Sequence, residues 1–143
     1  MFLTVPLIQQ LKPMACWYAS AQMLFAYKQQ SVDPMDPVYL ADTGISSDQF
    51  VDLAKATGLK TIPQVNQSYD WSFINDLLSK YGPIWAAGDW NGAPHIIVLT
   101  GVDSGGKLIV NDPAFSTPQV RNMGWFNQHI DASIPIPMMY LAD

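Results

Sequence analysis

Apolar positions follow two different patterns along this chain, one typical of helices and one of strands. From Ala15 to about Tyr27 nearly every residue is apolar or small, and Ser20 and Gln22 are the clearly polar exceptions. A helix that is apolar on all sides is a buried one. This segment is therefore predicted to be the central helix of the domain, with Cys16 in its first turn.

Two more helices are predicted downstream. The residues Ser46-Ser47-Asp48-Gln49 fit a capping box and would begin one of them. The other is predicted from about Trp71 to Tyr81, capped by Ser68 or Asp70 and ended by Gly82-Pro83.

Beyond this point the pattern becomes that of short strands separated by turns. Asp103-Ser104-Gly105-Gly106 is a hairpin signal, whereas residues 119–129 are ambiguous between helix and strand. Helices followed by antiparallel strands indicate an α+β fold. The predicted strands run from Ile84 to Ala87, His95 to Val102, Lys107 to Asp112 and Ile136 to Leu141.

Length and charge limit the possible classes. With 143 residues and no linker, the chain is expected to form one domain over residues 1–143. The net charge is −5, and the absence of a basic cluster argues against nucleic acid or an anionic membrane as partner. The longest apolar run, around Ile96 to Leu99, is far shorter than the ~20 residues that span a bilayer, and no signal peptide is visible.

Cysteine and histidine are scarce. The single cysteine excludes an internal disulfide and indicates either a reducing compartment, such as the cytoplasm, or a thiol with a chemical role. One Cys and two His leave little for a metal site. Neither a metal nor another cofactor is therefore expected.

Cys16 is the candidate nucleophile, although a lone cysteine can also be a buried small hydrophobe. A thiol in the first turn of a helix lies at the positive end of the helix dipole, which favours the thiolate. Gln10 can donate its side-chain amide to a developing oxyanion, together with the backbone N–H of Cys16. His95 is the candidate base, because nucleophile and base of cysteine peptidases are neighbours in space and not in sequence.

The partner of His95 depends on the register of the predicted hairpin. If Val102 faces Lys107, then Asp112 lies on the same face as His95, at the ~7–8 Å diagonal spacing that allows a His–Asp hydrogen bond. A slip of one residue would turn Asp112 to the other face and bring Asn111 to His95 instead. The residues by themselves leave both partners open.

Three other residues are further candidates for the site. Trp17 and Trp90 are candidates for the wall of a substrate groove, although aromatic side chains are usually part of the core. Trp90 lies in a predicted loop just ahead of His95. An indole at this position would narrow the substrate groove next to His95. His129 is interpreted as a surface or hydrogen-bonded histidine, not a second base.

Together these motifs resemble the papain-like cysteine peptidase superfamily. Gln10 followed by Cys16-Trp17 is similar to its oxyanion Gln and to the Cys-Trp at the head of its central helix. Gly82-Pro83, the strand that begins at Pro94-His95, and Asn111-Asp112-Pro113 look like elements of compact bacterial members. Those members include double-glycine leader peptidases and papain-like effector toxins, and the similarity favours Asp112 over Asn111.

The resemblance covers about Val5 to Phe115 and implies a papain-like fold. A central buried helix bearing Cys16 would pack against an antiparallel sheet bearing His95 and Asp112. It also implies a peptidase that forms a thioester on Cys16 and cleaves a protein or peptide substrate, with small residues such as Gly-Gly before the cut.

A biological role and several alternative functions accompany this interpretation. A bacterial toxin acting in a reducing cytoplasm, with a cognate inhibitor (immunity) protein in the producing cell, fits the acidic, disulfide-free chain. The same chemical groups serve deamidases and amidases, and a non-catalytic binding module on this fold is the competing class. The presence of Gln10, Cys16, His95 and Asp112 together favours an enzyme.

Overall fold

A six-stranded antiparallel sheet dominates the part of the chain that the computed structural model describes, which comprises residues 1–11, 16–29, 58–63, 68–90, 92–131 and 137–142. The strands lie in the order β1-β6-β2-β3-β4-β5. Their bounds are β1 Leu59–Ile62, β2 Ile84–Gly88, β3 His95–Val102, β4 Leu108–Asn111, β5 Gln119–Arg121 and β6 Met138–Leu141. The helix expected from Ser46 lies outside the described residues.

One face of the sheet is covered by α1, which spans Cys16–Tyr27. Eight of its twelve residues are buried and the other four are partly buried, as its apolar sequence predicts. Trp17 and Leu24 pack in one core cluster with Trp85 of β2 and Val98 of β3. The predicted central helix is thus present, and its N-terminal end lies over the beginning of β3, where the Ser20 hydroxyl donates to the Ile96 carbonyl at 3.3 Å.

The opposite face is covered by two helices, α2 over Trp71–Tyr81 and α3 over Met123–His129. The carboxylate of Asp70 accepts from Phe73 N at 2.8 Å and caps α2. Gly82 ends the helix at φ 84°, a conformation that favours glycine. Helices on both faces of an antiparallel sheet confirm the expected α+β class.

The β3–β4 hairpin differs from its predicted register in an instructive way. Val102 pairs with Leu108 and not with Lys107, because the turn contains Gly106 at φ 78° and closes through Asp103 N to Lys107 O at 2.9 Å. The register then shifts between Leu99 and Gly101.

This register shift is a β-bulge, and Thr100 is its extra residue. The bulge restores the predicted pairing at the end of the hairpin away from the turn. Beyond the bulge Leu99 pairs with Val110, and Val98 pairs with Asn111. Asp112 follows directly, so continuing the register brings it to the same face as His95.

The N-terminal residues run alongside this hairpin. Leu3 N donates to Thr100 O at 2.9 Å, and Met1 O accepts from Val102 N at 2.7 Å. A Cβ on Gly101 would lie 2.9 Å from Met1 O, so only glycine permits this close approach. The segment then continues toward the beginning of β3, with Val5 and Ile8 packed against the α1 face of the sheet.

Candidate active site

Cys16 begins α1 and is half-buried, with its side chain packed against the α1 core. Two observations place it beside His95. The helix end lies over the start of β3, and the Cys16 side chain hydrogen-bonds the His95 ring. A partly exposed thiol at a helix N-terminus and next to an imidazole is the arrangement that activates a cysteine nucleophile.

His95 is the first residue of β3 and forms a short hydrogen bond with Asp112. The distance from His95 Nε2 to Asp112 Oδ1 is 2.6 Å, and the two side chains are only 13% and 5% exposed. Since Asp112 occupies Nε2, Nδ1 is the nitrogen that remains for Cys16. The same carboxylate oxygen also accepts from Ala114 N at 2.9 Å, which holds the carboxylate in place.

The surroundings of His95 favour its protonated form. Burial by itself lowers the pKa of the ring, but the hydrogen bonds to Asp112 and Cys16 and the negative charges of both groups more than offset this. Together they raise the pKa of His95 from 6.5 to about 9. An imidazolium between two acidic groups is therefore the resting state near neutral pH.

Gln10 lies beside Pro113, the residue that follows Asp112. Its backbone N–H donates to Pro113 O at 2.9 Å, and its side chain is half-buried. Because Val5 and Ile8 pack on the α1 face, the segment brings Gln10 to the side of the sheet on which Cys16 lies. The structure thus brings Cys16, His95 and Asp112 together at one end of β3, and it places the backbone of Gln10 beside Pro113, the residue after Asp112.

Trp17 and Trp90 do not line a groove, contrary to expectation. Trp17 is 2% exposed, and its carbonyl accepts from the Trp85 indole at 3.2 Å. Trp90 is 3% exposed and packs against Trp125 and Phe126, with ring centroids 5.0 and 5.4 Å away. Burying these large apolar rings contributes more to stability than exposing them over a cleft. Neither indole has surface to offer a substrate.

His129 is also accounted for. Its Nδ1 lies 3.1 Å from Asp89 Oδ1, and the two side chains are 31% and 58% exposed. The pair borders a cavity of about 270 Å³ whose lining residues are Gly88, Asp89, Pro94, Gln128, His129, Ile130 and Asp131. Among the described residues that line this cavity there is no cysteine, serine or threonine, so none of them offers His129 a nucleophile to activate.

Asn111 is the residue whose part sequence reasoning missed. The sequence pattern indicated Asn111 only as an alternative partner of His95. In the structure it is 2% exposed and donates its side-chain amide to Val5 O at 3.1 Å. The available signal was its place next to Asp112, but the contact to Val5 spans 106 positions in sequence, and no local pattern reveals it.

Within the described ranges no group of three or more His, Cys, Asp or Glu side chains is placed to hold a metal ion. None of the helices there is long and apolar enough to cross a membrane.

Comparison with known families identifies the family of this chain. Residues 1–131 match the family described as papain-like cysteine protease AvrRpt2. The chain belongs to this family. The papain-like resemblance of the sequence motifs is thereby confirmed, and membership of a cysteine protease family supports cysteine peptidase activity.

A solved structure supports the papain-like fold independently. It is the crystal structure of a double glycine motif protease from an AMS/PCAT transporter in complex with the leader peptide. The likeness has a TM-score of 0.63 at 24% sequence identity, and it covers 98% of this chain and 91% of that chain. At this identity it shows the fold. No curated protein sequence matches this papain-like chain significantly.

Proposed function

We propose that this protein is a cysteine peptidase that cleaves a peptide bond of a protein substrate through a thioester on Cys16. His95 is the proton carrier, Asp112 orients its ring, and Gln10 donates to the oxyanion. The observation that carries the proposal is the imidazole of His95, which contacts Asp112 at 2.6 Å and Cys16 at the same time.

The acylation step follows from the charges of these groups. The Cys16 thiolate attacks the substrate carbonyl carbon and forms the S–C bond while the carbonyl oxygen becomes an oxyanion. Gln10 and the backbone N–H of Cys16 donate hydrogen bonds to that oxygen, and one such donor contributes about 2.7–4 kcal/mol. His95 then gives its proton to the amine nitrogen as the C–N bond breaks.

Deacylation reverses the proton movement. The now neutral His95 takes a proton from water, and the resulting hydroxide attacks the thioester carbonyl. The S–C bond breaks, the carboxylic product leaves, and the Cys16 thiolate and His95 imidazolium are restored. The Asp112 contact at Nε2 keeps Nδ1 directed toward the thiol throughout both steps.

For the substrate, we propose a protein segment with small residues, Gly-Gly above all, before the cleaved bond. The support is the structural neighbour, which is a double glycine motif protease bound to a leader peptide. The buried Trp90 does not contribute to this preference. We further propose a toxin role, which the AvrRpt2 family name suggests. A cognate inhibitor protein in the producing cell is the partner that such a role would require.

Turnover by the Cys16→Ala variant tests the activity. Peptides with Gly-Gly, aromatic or basic residues before the cut are incubated with wild type and variant, and the products are identified by mass. We expect cleavage by the wild type, best after Gly-Gly, and none by the variant. Turnover retained by the variant would contradict the role of Cys16, and a 1 Da gain without cleavage would identify a deamidase.

Labelling separates the enzyme from a binding module. Cys16 is the only cysteine in the sequence, so a thiol-directed alkylating agent reports on this position alone. We expect fast labelling near neutral pH, since the Cys16 side chain contacts the protonated His95 ring. A slow reaction that disappears below pH 8 would indicate a non-catalytic domain.

A further inference from the structure

The corner formed by residues 111–113 contacts both halves of the proposed site. Its middle residue, Asp112, bonds to His95 at 2.6 Å. The residues on either side of Asp112 both contact the N-terminal segment. The Asn111 amide donates to Val5 O at 3.1 Å, and Pro113 O accepts from Gln10 N at 2.9 Å.

Alternation along β4 explains why neighbouring residues have these different partners. Val110 packs in the cluster on the α2 face, so Asn111 projects toward the α1 face, where Val5 and Ile8 lie. Asn111 is 2% exposed. A buried amide costs stability unless its donors are used, so the bond to Val5 gives Asn111 a structural reason to be there.

The segment that this bond holds needs an external support. Residues 3–10 belong to no helix or strand of the described chain, and Pro6 has no N–H to contribute to a ladder. Its beginning is held at Thr100 through Leu3 N. Asn111 holds it at Val5, five residues before Gln10, whose own backbone N–H donates to Pro113 O.

We propose that Asn111 is a positioning residue for the oxyanion donor: it acts through Val5 and residues 5–10 to place Gln10, while Asp112 beside it places His95. This inference rests on the proposed role of Gln10. The physical consequence is large for a small displacement, because misplacing a catalytic group by about 1 Å can cost about 10²-fold in rate.

A double-mutant cycle tests the inference. Asn111→Ala removes the donor to Val5, and we expect kcat to fall about tenfold with KM nearly unchanged, a fraction of the ~10²–10³-fold loss on removing an oxyanion donor. In the Gln10→Ala background the same change should lower kcat by less than about twofold, because the group it positions is already absent. Asn111→Leu, which fills the space but has no donor, serves as a second variant should the alanine variant fail to fold.

The rate of Cys16 alkylation by iodoacetamide distinguishes a positioning role of Asn111 from a purely structural one. A purely structural role would lower the alkylation rate and kcat together. This displacement forms no oxyanion, so its rate should remain within about twofold of wild type in the Asn111 variants while kcat falls. Equal losses of alkylation and turnover would mean that Asn111 merely maintains the fold, and would overturn the inference.

Asn127 is the matched control. Its side chain also holds backbone, exchanging bonds of 2.8 Å with Tyr69 N and O, but it lies on α3 on the opposite face of the sheet. Asn127→Ala should lower the free energy of unfolding without changing kcat. If Gln10→Ala retained wild-type kcat, the proposed role of Gln10 and this inference would both fail. Independent, additive losses from the Gln10 and Asn111 changes would overturn the inference alone.

Discussion

The protein contains two His–Asp pairs that differ in distance, burial and surroundings. His95 and Asp112 are 2.6 Å apart and nearly buried, and Asp112 is also held by Ala114 N. His129 and Asp89 are 3.1 Å apart, and their side chains are 31% and 58% exposed. Exposed ion pairs contribute little because water screens them, whereas a buried contact changes the protonation of the histidine.

The comparison shows that a histidine and a carboxylate do not make a catalytic pair by themselves. His95 has a thiol at its second nitrogen and a raised pKa. The His129 ring lies near Trp125, with centroids 5.8 Å apart, and the described residues that line the adjoining cavity include no cysteine, serine or threonine. Changing corresponding residues in the two pairs therefore provides built-in controls.

The largest difference is expected between the two histidines. His95→Ala should lower kcat/KM by about 10³–10⁴-fold, because the thiolate loses its counter-ion and the leaving amine loses its acid. His129→Ala should stay within about twofold of wild type. Peptide cleavage assays on both variants measure this, and similar losses from the two would mean that the cavity pair takes part in the reaction.

A smaller difference is expected between the two carboxylates. Asp112→Ala should cost about 10²-fold, since packing preserves part of the ring orientation that the carboxylate supplies. Asp89→Ala should leave turnover unchanged. Steady-state kinetics of the purified variants decide the matter. An Asp112 variant as active as wild type would remove Asp112 from the mechanism.

The protonation of His95 should follow its two acidic neighbours. In the wild type, kcat/KM should fall as pH rises through about 9, where the imidazolium loses its proton. Removing the thiol in Cys16→Ala removes one hydrogen bond and one negative charge, so the pKa of His95, followed by NMR, should move down toward 6.5. An unchanged titration in this variant would mean that the thiol does not contact the ring.

The smallest effect concerns stability. Because the folded-state pKa of His95 lies above its ordinary value of 6.5, its charge contributes to stability fully below about pH 6.5, and this contribution is lost as pH rises toward 9. The free energy of unfolding lost in His95→Ala should therefore be larger at pH 6 than at pH 10. Urea unfolding of both proteins measures it, and a loss that grows with pH would reverse the sign of the argument.

Much of the fold follows from local patterns in the sequence. The predicted bounds of α2 and β3 coincide with those in the structure, because a capped amphipathic helix and a long apolar strand between turn residues are strong signals. Residues 119–129 were ambiguous because they hold two short elements. β5 has three residues, and α3, capped by Asn122, has seven, which is too few for either periodicity to show.

For the site, the sequence by itself determined which residues have suitable chemistry and that Cys16 begins a buried helix. Its motif order also indicated Asp112. Only the tertiary structure decided the burial of Trp90, because aromatic packing with α3 depends on contacts distant in sequence.

The choice between Asp112 and Asn111 was likewise decided by tertiary structure. The turn slips by one residue, and without the bulge Asn111 would share a face with His95. The extra residue Thr100, hydrogen-bonded to Leu3 and to Ile109 O, reverses that slip. Side chains along a strand alternate between the two faces of the sheet. A single residue inserted in β3 therefore determines whether Asp112 or Asn111 lies on the same face as His95.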